Sequence, residues 1–278
     1  MSRRSAIQRV FAAIALGAAL LLVLLPGVSM PARAAGPVRI VTVYDNEAAG
    51  PGLATGWGFA ALVSTPGGTV LFDTGRDGAA LLANMTRLGL DPNAIRSVVL
   101  SHAHSDHTGG LTALLAAIGR GAGEVEVVVP APVPETIRRQ VAAAGARLRS
   151  VSGRAEILPG VFGTGSLGGG IPEQALVVDT AEGLAVVTGC AHPGVLRVVE
   201  AVRVQHAGRP VALVLGGFHL YKTGTAEIAR VVDGLRRLGV QRVAPSHCSG
   251  PAARRLFEAE FGADFIAGGA GSVVRLGR

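Results

Sequence analysis

The sequence predicts an α/β protein in which two sheets are sandwiched between helices. Short apolar runs of four to six residues alternate with segments of helical period, the pattern of sheets covered by helices. The early runs follow one another like hairpins around Pro66-Gly67-Gly68, and 175–179 and 184–188 repeat that pattern around Ala181-Glu182-Gly183. The later runs alternate with helical segments instead. Meanders mixed with strand–helix units call for two sheets and helical outer layers.

In chain order, strands are expected near 38–43, 59–64, 69–72, 97–100, 124–129, 175–179, 184–188, 211–215, 242–245 and 273–276. Helices are expected near 79–88, 111–118, 134–144, 194–204, 225–238 and 251–261. No linker, charge block or low-complexity segment divides this stretch. The many glycines are scattered and mostly mark turns.

The first 34 residues read as an export signal. Arg3, Arg4 and Arg9 make a positive start, and no charged residue falls between Val10 and Ala32. Ala32-Arg33-Ala34 is a small-x-small site suited to cleavage before Ala35. The apolar stretch before Pro26 is shorter than the ~20 residues of a spanning helix, which favours cleavage over a retained anchor. Ser2-Arg3-Arg4 also hints at the twin-arginine route. The expected product is a periplasmic or extracellular domain, 35–278, with no stable membrane insertion.

Removing 1–34 takes away four arginines and no acid, so the formal charge falls from +7 to +3. Part of the high pI is therefore the signal. No basic stretch is interleaved with aromatics, which gives no case for nucleic-acid binding. Two cysteines, Cys190 and Cys248, are too few for a disulfide framework. They could form one bridge in an oxidising compartment. Each lies beside a candidate ligand histidine, and they are read first as part of a site. Oligomeric state is open.

The most informative run is Ser101-His102-Ala103-His104-Ser105-Asp106-His107-Thr108-Gly109-Gly110. It holds three of the chain's seven histidines and one carboxylate. It follows a buried-strand pattern and precedes a helical one, a common position for sites in layered α/β proteins. Imidazole and carboxylate suit zinc and similar first-row divalent metals, iron and manganese included.

Other chemistry-bearing residues share that context. His192, in Gly189-Cys190-Ala191-His192-Pro193-Gly194, and His247, in Ser246-His247-Cys248-Ser249-Gly250, each follow a predicted strand. In a layered sheet such turns can converge on one edge, so both are candidate ligands. His219, in Gly216-Gly217-Phe218-His219-Leu220, is assigned a supporting, substrate-binding or catalytic role. Asp73 ends the strand near 69–72, where its carboxylate could orient a ligand imidazole or merely start a turn. His206 is expected to be a solvated residue near a helix C-terminus.

With those residues placed, the chain resembles the metallo-β-lactamase-fold hydrolases. The H-x-H-x-D-H run opening into Thr108-Gly109-Gly110 carries the resemblance, and Asp73-Thr74-Gly75 is similar to that superfamily's first motif. The likeness covers 38–276 and implies an αββα four-layer sandwich with one or two metals at the upper edge of the sheets. The segments around Cys190, His219 and His247 are similar to those of a narrower group, the dihydropterin ribofuranosylaminobenzene-phosphate synthase-like proteins.

One departure stands out. The superfamily usually carries a His before the second-half strand and a bridging Asp after it. This chain has no His between His107 and His192, and Cys190 is nearest to the Asp position. The narrower group shares the departure.

The resemblance implies metal-assisted hydrolysis of a small molecule by activated water. His102, His104 and His192 would hold one metal. Asp106, His107 and His247 would complete a second site, or leave Asp106 as a general base. Substrate class does not follow from the fold. A synthase, or a metal-dependent sensor without turnover, are the alternatives.

Overall fold

The computed structural model describes residues 36–168 and 170–277. The expected signal, 1–34, lies outside the described residues. Among them no helix is long and apolar enough to cross a membrane.

The elements run β1 (Val38–Tyr44), β2 (Ala60–Thr65), β3 (Gly68–Phe72), α1 (Gly78–Arg87), β4 (Ile95–Val99), α2 (Ser105–Thr108), α3 (Leu111–Ile118), β5 (Glu126–Pro130) and α4 (Glu135–Ala143). The second half adds β6 (Arg147–Val151), β7 (Ala155–Leu158), β8 (Val161–Gly163), β9 (Leu176–Thr180), β10 (Gly183–Thr188), α5 (Val195–Gln205), β11 (Val211–Gly217), α6 (Thr225–Arg237), β12 (Arg242–Ser246), α7 (Gly250–Phe261) and β13 (Val273–Leu276).

Two sheets form. The first has the order β13-β1-β2-β3-β4-β5-β6 and the second β12-β11-β10-β9-β8-β7. In the first, β1, β2 and β3 are an antiparallel meander, and β3 to β6 are parallel. In the second, β10, β11 and β12 are parallel and β9 is antiparallel to β10.

Three apolar clusters define the layers. Phe59, Phe72, Val99 and Val128 of the first sheet region meet Leu176, Val178, Val187 and Leu213 of the second. On the outer face of the first sheet, Leu71 and Val98 pack with Leu81, Met85, Leu111 and Leu114 from α1 and α3. On the outer face of the second, Val186 and Val214 pack with α5, α6 and α7 through Val199, Leu235 and Phe257. Alternate residues of each strand thus serve different cores. Both faces are covered, which is why these strands read as continuous apolar runs. The order of layers is αββα, as the resemblance implies.

Three strands, β6, β7 and β8, are absent from the sequence reading. β6 and β7 are each one edge of a sheet, β13 and β12 being the opposite edges. Arg147 and Ser150 are exposed on β6 and Glu156 on β7. Charged, half-solvated edge strands lack the apolar run that marks a central strand.

This topology places the site. β1, β3, β4, β10, β11 and β12 all end at one edge, and β9 begins there. The polar segments after Tyr44, Phe72, Val99, Thr188, Gly217 and Ser246 therefore gather along one rim, where the strand ends of a layered α/β fold bind ligands.

Candidate metal centre

Asp73 anchors the first half of the rim. Its Oδ1 accepts the Ser101 backbone N–H at 2.6 Å, and its Oδ2 accepts the Ser101 hydroxyl at 2.7 Å. The same Oδ2 lies 2.7 Å from His107 Nδ1. Since the carboxylate can only accept, His107 donates from Nδ1 and turns Nε2 to the centre. The Ser101 hydroxyl is spent on Asp73, so His102 Nδ1, 2.9 Å from Ser101 Oγ, is the donor in that contact. His102 Nε2 is left as a lone pair facing His104 Nδ1 at 3.0 Å.

Glu173, just ahead of β9, anchors the second half. Its Oε1 accepts the N–H groups of Cys190 and Ala191, and its Oε2 accepts the N–H of His192. Oε2 also accepts His192 Nδ1–H at 2.8 Å, which aims His192 Nε2 inward. Asn46, after β1, does the same for His247. Its Oδ1 is 3.0 Å from His247 Nδ1, and its amide donates to the His247 carbonyl.

The freed donor atoms converge on Cys190. Its Sγ lies 3.3 Å from His107 Nε2 and 3.4 Å from His247 Nε2. Asp106 Oδ2 is 3.5 Å from each of the same two nitrogens. Asp106, His107, Cys190 and His247 thus form one donor set, and His102, Cys190 and His192 a second. His104 stands beside the second, its ring 4.6 Å from that of His102 and 5.0 Å from that of His192. A third group joins Cys190 to His219 and Cys248. Both thiols are free and buried.

Electrostatics favour a cation here. Asp73, Asp106 and Glu173 bring three carboxylates to a largely buried rim. Burial pulls the His107 imidazolium down, but Asp73 and Asp106 outweigh it and raise the ring to about 10. Burial, aided by the charge of His107, lowers His102 to about 2 and keeps it neutral, the form that ligates metal. Burial would raise Asp106 and Glu173; hydrogen bonds from His107 and His247 hold Asp106 far below its usual range, and His192 chiefly holds Glu173 at about 2. The donor chemistry fits first-row divalent ions: imidazoles oriented by carboxylates, one carboxylate ligand and one soft sulfur.

Backbone strain marks the same rim. Among the described residues five non-glycines have positive φ, and four of them are Asp73, Ala191, His219 and His247. Such conformations cost about 1–3 kcal/mol each and persist where the surroundings hold them. Gly217 serves close packing: a Cβ there would meet the Gly189 carbonyl and stand 2.7 Å from Cys248 Sγ.

A profile of the metallo-beta-lactamase superfamily matches residues 58–247, from the loop before β2 to the histidine after β12. The chain belongs to that superfamily. A relative from Methanocaldococcus jannaschii, a 7,8-dihydropterin-6-methyl-4-(beta-D-ribofuranosyl)-aminobenzene-5'-phosphate synthase, is 27% identical over 247 residues, covering 74% of this chain and 84% of its own. A crystal structure of a metal-dependent hydrolase of the beta-lactamase superfamily is similar at a TM-score of 0.72 and 28% identity, covering 87% of this chain and 100% of the other. The metallo-beta-lactamase-fold protein YhfI from Bacillus subtilis shares the fold at a TM-score of 0.63 and 14% identity, covering 86% and 99%.

Within this metallo-beta-lactamase fold, the predicted ligands His102, His104, Asp106, His107, His192 and His247 stand on one rim, with Asp73 and Cys190 among them. His219 is exposed, its ring 4.5 Å from that of His192. One expectation is corrected: His206 is not solvated. It caps α5 but is 6% exposed, edge-on to Phe162 at 5.1 Å. Sequence reasoning missed Glu173 and Asn46. A lone Glu entering the apolar run of β9 was the available signal for the first. Nothing local marks Asn46, whose partner lies 201 residues away.

Proposed function

We propose that this chain is an exported metal-dependent hydrolase of an ester-type or phosphate-containing small molecule, with zinc as the metal that best suits its donors. The observation that carries the reading is the convergence of two donor sets on Cys190 Sγ. His102, His104, His192 and Cys190 would hold one ion, and Asp106, His107, His247 and Cys190 the other. A divalent metal here supplies Lewis-acid polarisation and makes water available as a nucleophile at neutral pH.

The chain's own residues do the rest. Asp73, Glu173 and Asn46 fix three imidazoles through Nδ1 so that each turns Nε2 to the centre, where a bound metal would take the place of any proton on it. Asp106, engaged by His107 and His247, acts as a ligand more than as a base. His219 puts an exposed imidazole next to His192, where it can pass a proton to a leaving group.

Metal analysis of the purified protein, followed by a panel of phosphoesters, lactones, thioesters and amides, tests this. The expected result is one or two divalent ions per chain and turnover that chelation abolishes. A chain that takes up neither zinc, manganese nor iron overturns it.

The similarity to the archaeal synthase favours a second reading, a synthase-like reaction building a dihydropterin-linked ribofuranosylaminobenzene phosphate. Intact mass of protein from its native host separates the two. Cleavage between Ala34 and Ala35 supports export, and an intact N-terminus in the cytosol favours the synthase.

A further inference from the structure

Large apolar side chains that stay exposed are few. Among the described residues they are Trp57, Tyr221 and Val204. Val204 sits alone on α5, and a single exposed apolar residue is ordinary. Trp57 and Tyr221 stand together, ring centroids 5.6 Å apart and planes at 87°. They line a cavity of about 390 Å³ with His219, Lys222, Thr223 and Cys248. Two of those, His219 and Cys248, belong to the rim's third donor group. The indole of Trp57 also packs against His247, centroids 5.1 Å apart. The cavity is thus the approach to the metal centre.

The aromatic corner is held in place. Gly56 N–H donates to the Asp45 carbonyl and Gly58 N–H to Asn46 Oδ1, so both neighbours of Trp57 are tied to the segment that orients His247. The N–H groups of Leu220 and Tyr221 both donate to the Cys248 carbonyl. Two rings meeting edge to face leave one face open, against which a third flat ring can lie. Beside them Lys222, the chain's only lysine, has no ion-pair partner among the described residues. A compact cation next to an open aromatic face binds a ring that carries negative charge.

We propose that Trp57, Tyr221 and Lys222 form the substrate-recognition subsite and select small molecules in which a flat aromatic ring bears an anionic group. This rests on the hydrolase reading for what happens next to the bound molecule, but binding itself does not require turnover.

Trp57 is the only tryptophan, so its fluorescence reports this subsite alone. The metal-loaded protein is titrated with benzenesulfonate, an aromatic anion and a poor metal ligand. Methanesulfonate, which lacks the ring, and benzyl alcohol, which lacks the charge, are titrated in parallel. The expected result is a saturable change with benzenesulfonate and a midpoint about tenfold higher for methanesulfonate, the scale of one aromatic contact. Lys222→Gln should raise the benzenesulfonate midpoint about fivefold, the scale of one exposed charge contact, and leave benzyl alcohol unchanged. Tyr221→Ala should weaken both ring-bearing probes. A silent Trp57, equal midpoints for the two sulfonates, or an unchanged midpoint in Lys222→Gln overturns the proposal. Saturable binding without any turnover in the substrate panel would sink the hydrolase reading and keep the subsite; turnover with a silent Trp57 would do the reverse.

Discussion

Glu173 accepts both the backbone N–H of His192, at 2.7 Å, and its ring Nδ1–H, at 2.8 Å. One carboxylate therefore sets the position of the loop and the tautomer of the ring. It also collects the N–H groups of Cys190 and Ala191, so it shapes the segment that carries the sulfur shared by both donor sets. Glu173→Ala is expected to weaken zinc binding at least tenfold, the scale seen when a carboxylate behind a ligand imidazole is lost. It should also lower stability by about 2–4 kcal/mol, because four N–H donors, those of Cys190 and Ala191 fully buried, lose their acceptor. Zinc competition against a chelating dye, with denaturant unfolding, checks both. Unchanged zinc affinity in a folded variant would show that Glu173 does not orient His192.

His192 and His247 belong to different donor sets, which gives a stoichiometric test. In a protein that binds two ions, His192→Ala and His247→Ala should each reduce metal content to about one ion per chain, the single-ligand loss falling on one site of each pair. Cys190→Ala should reduce occupancy at both. His206→Ala should leave metal content as in the unaltered chain. Full loading in Cys190→Ala would remove sulfur from the shared position.

The central strands and the rim histidines were legible because the same physics writes both. Strands buried on two faces need uninterrupted Val, Leu and Ile, and a ligand cluster needs residue types that are rare elsewhere. The H-x-H-x-D-H run is local, so its meaning does not depend on tertiary contacts. Glu173 and Asn46 act across the fold: each carries one residue of a type common on any surface, and only the closure of two sheets brings it to its histidine. His206 failed for the opposite reason. Its local setting, the end of a helix followed by Ala207-Gly208, is that of a solvated cap, and the neighbouring Phe162 on β8 covers it.

The thiols offer a third test. Cys248 Sγ lies 3.7 Å from the Cys190 carbonyl, and the two sulfurs are close enough to share a donor group with His219. The hydrogen bond from the Cys190 thiol holds Cys248 well below its ordinary range, with His219 adding to the effect. Two free thiols are expected when denatured, non-reduced protein is titrated, and metal should protect Cys190 from alkylation in the native protein. A mass two daltons below the reduced form would show a bridge, and Cys190 could not then serve either donor set.

The last prediction concerns acid stability and needs no metal. Burial, with the nearby Arg154 charge adding to it, lowers His206 to about 4, against 6.5 for an unperturbed ring. Its Nε2 has no hydrogen-bond partner. Between those two pH values the unfolded chain binds a proton that the folded chain refuses. Stability from this residue is therefore fully present above about 6.5 and is lost as pH falls towards about 4. Replacing it by a group that does not titrate, as in His206→Gln, removes that dependence. The metal ligands also take up protons in acid, but they do so in both proteins, and the difference between the two isolates His206. Unfolding free energies are measured at intervals from pH 7 to pH 4. The unaltered chain should lose stability faster than His206→Gln across this window, with an excess slope of up to about 1.4 kcal/mol per pH unit, the limit for one proton. Parallel curves would mean that His206 titrates as it would in solvent and that Phe162 does not seal it.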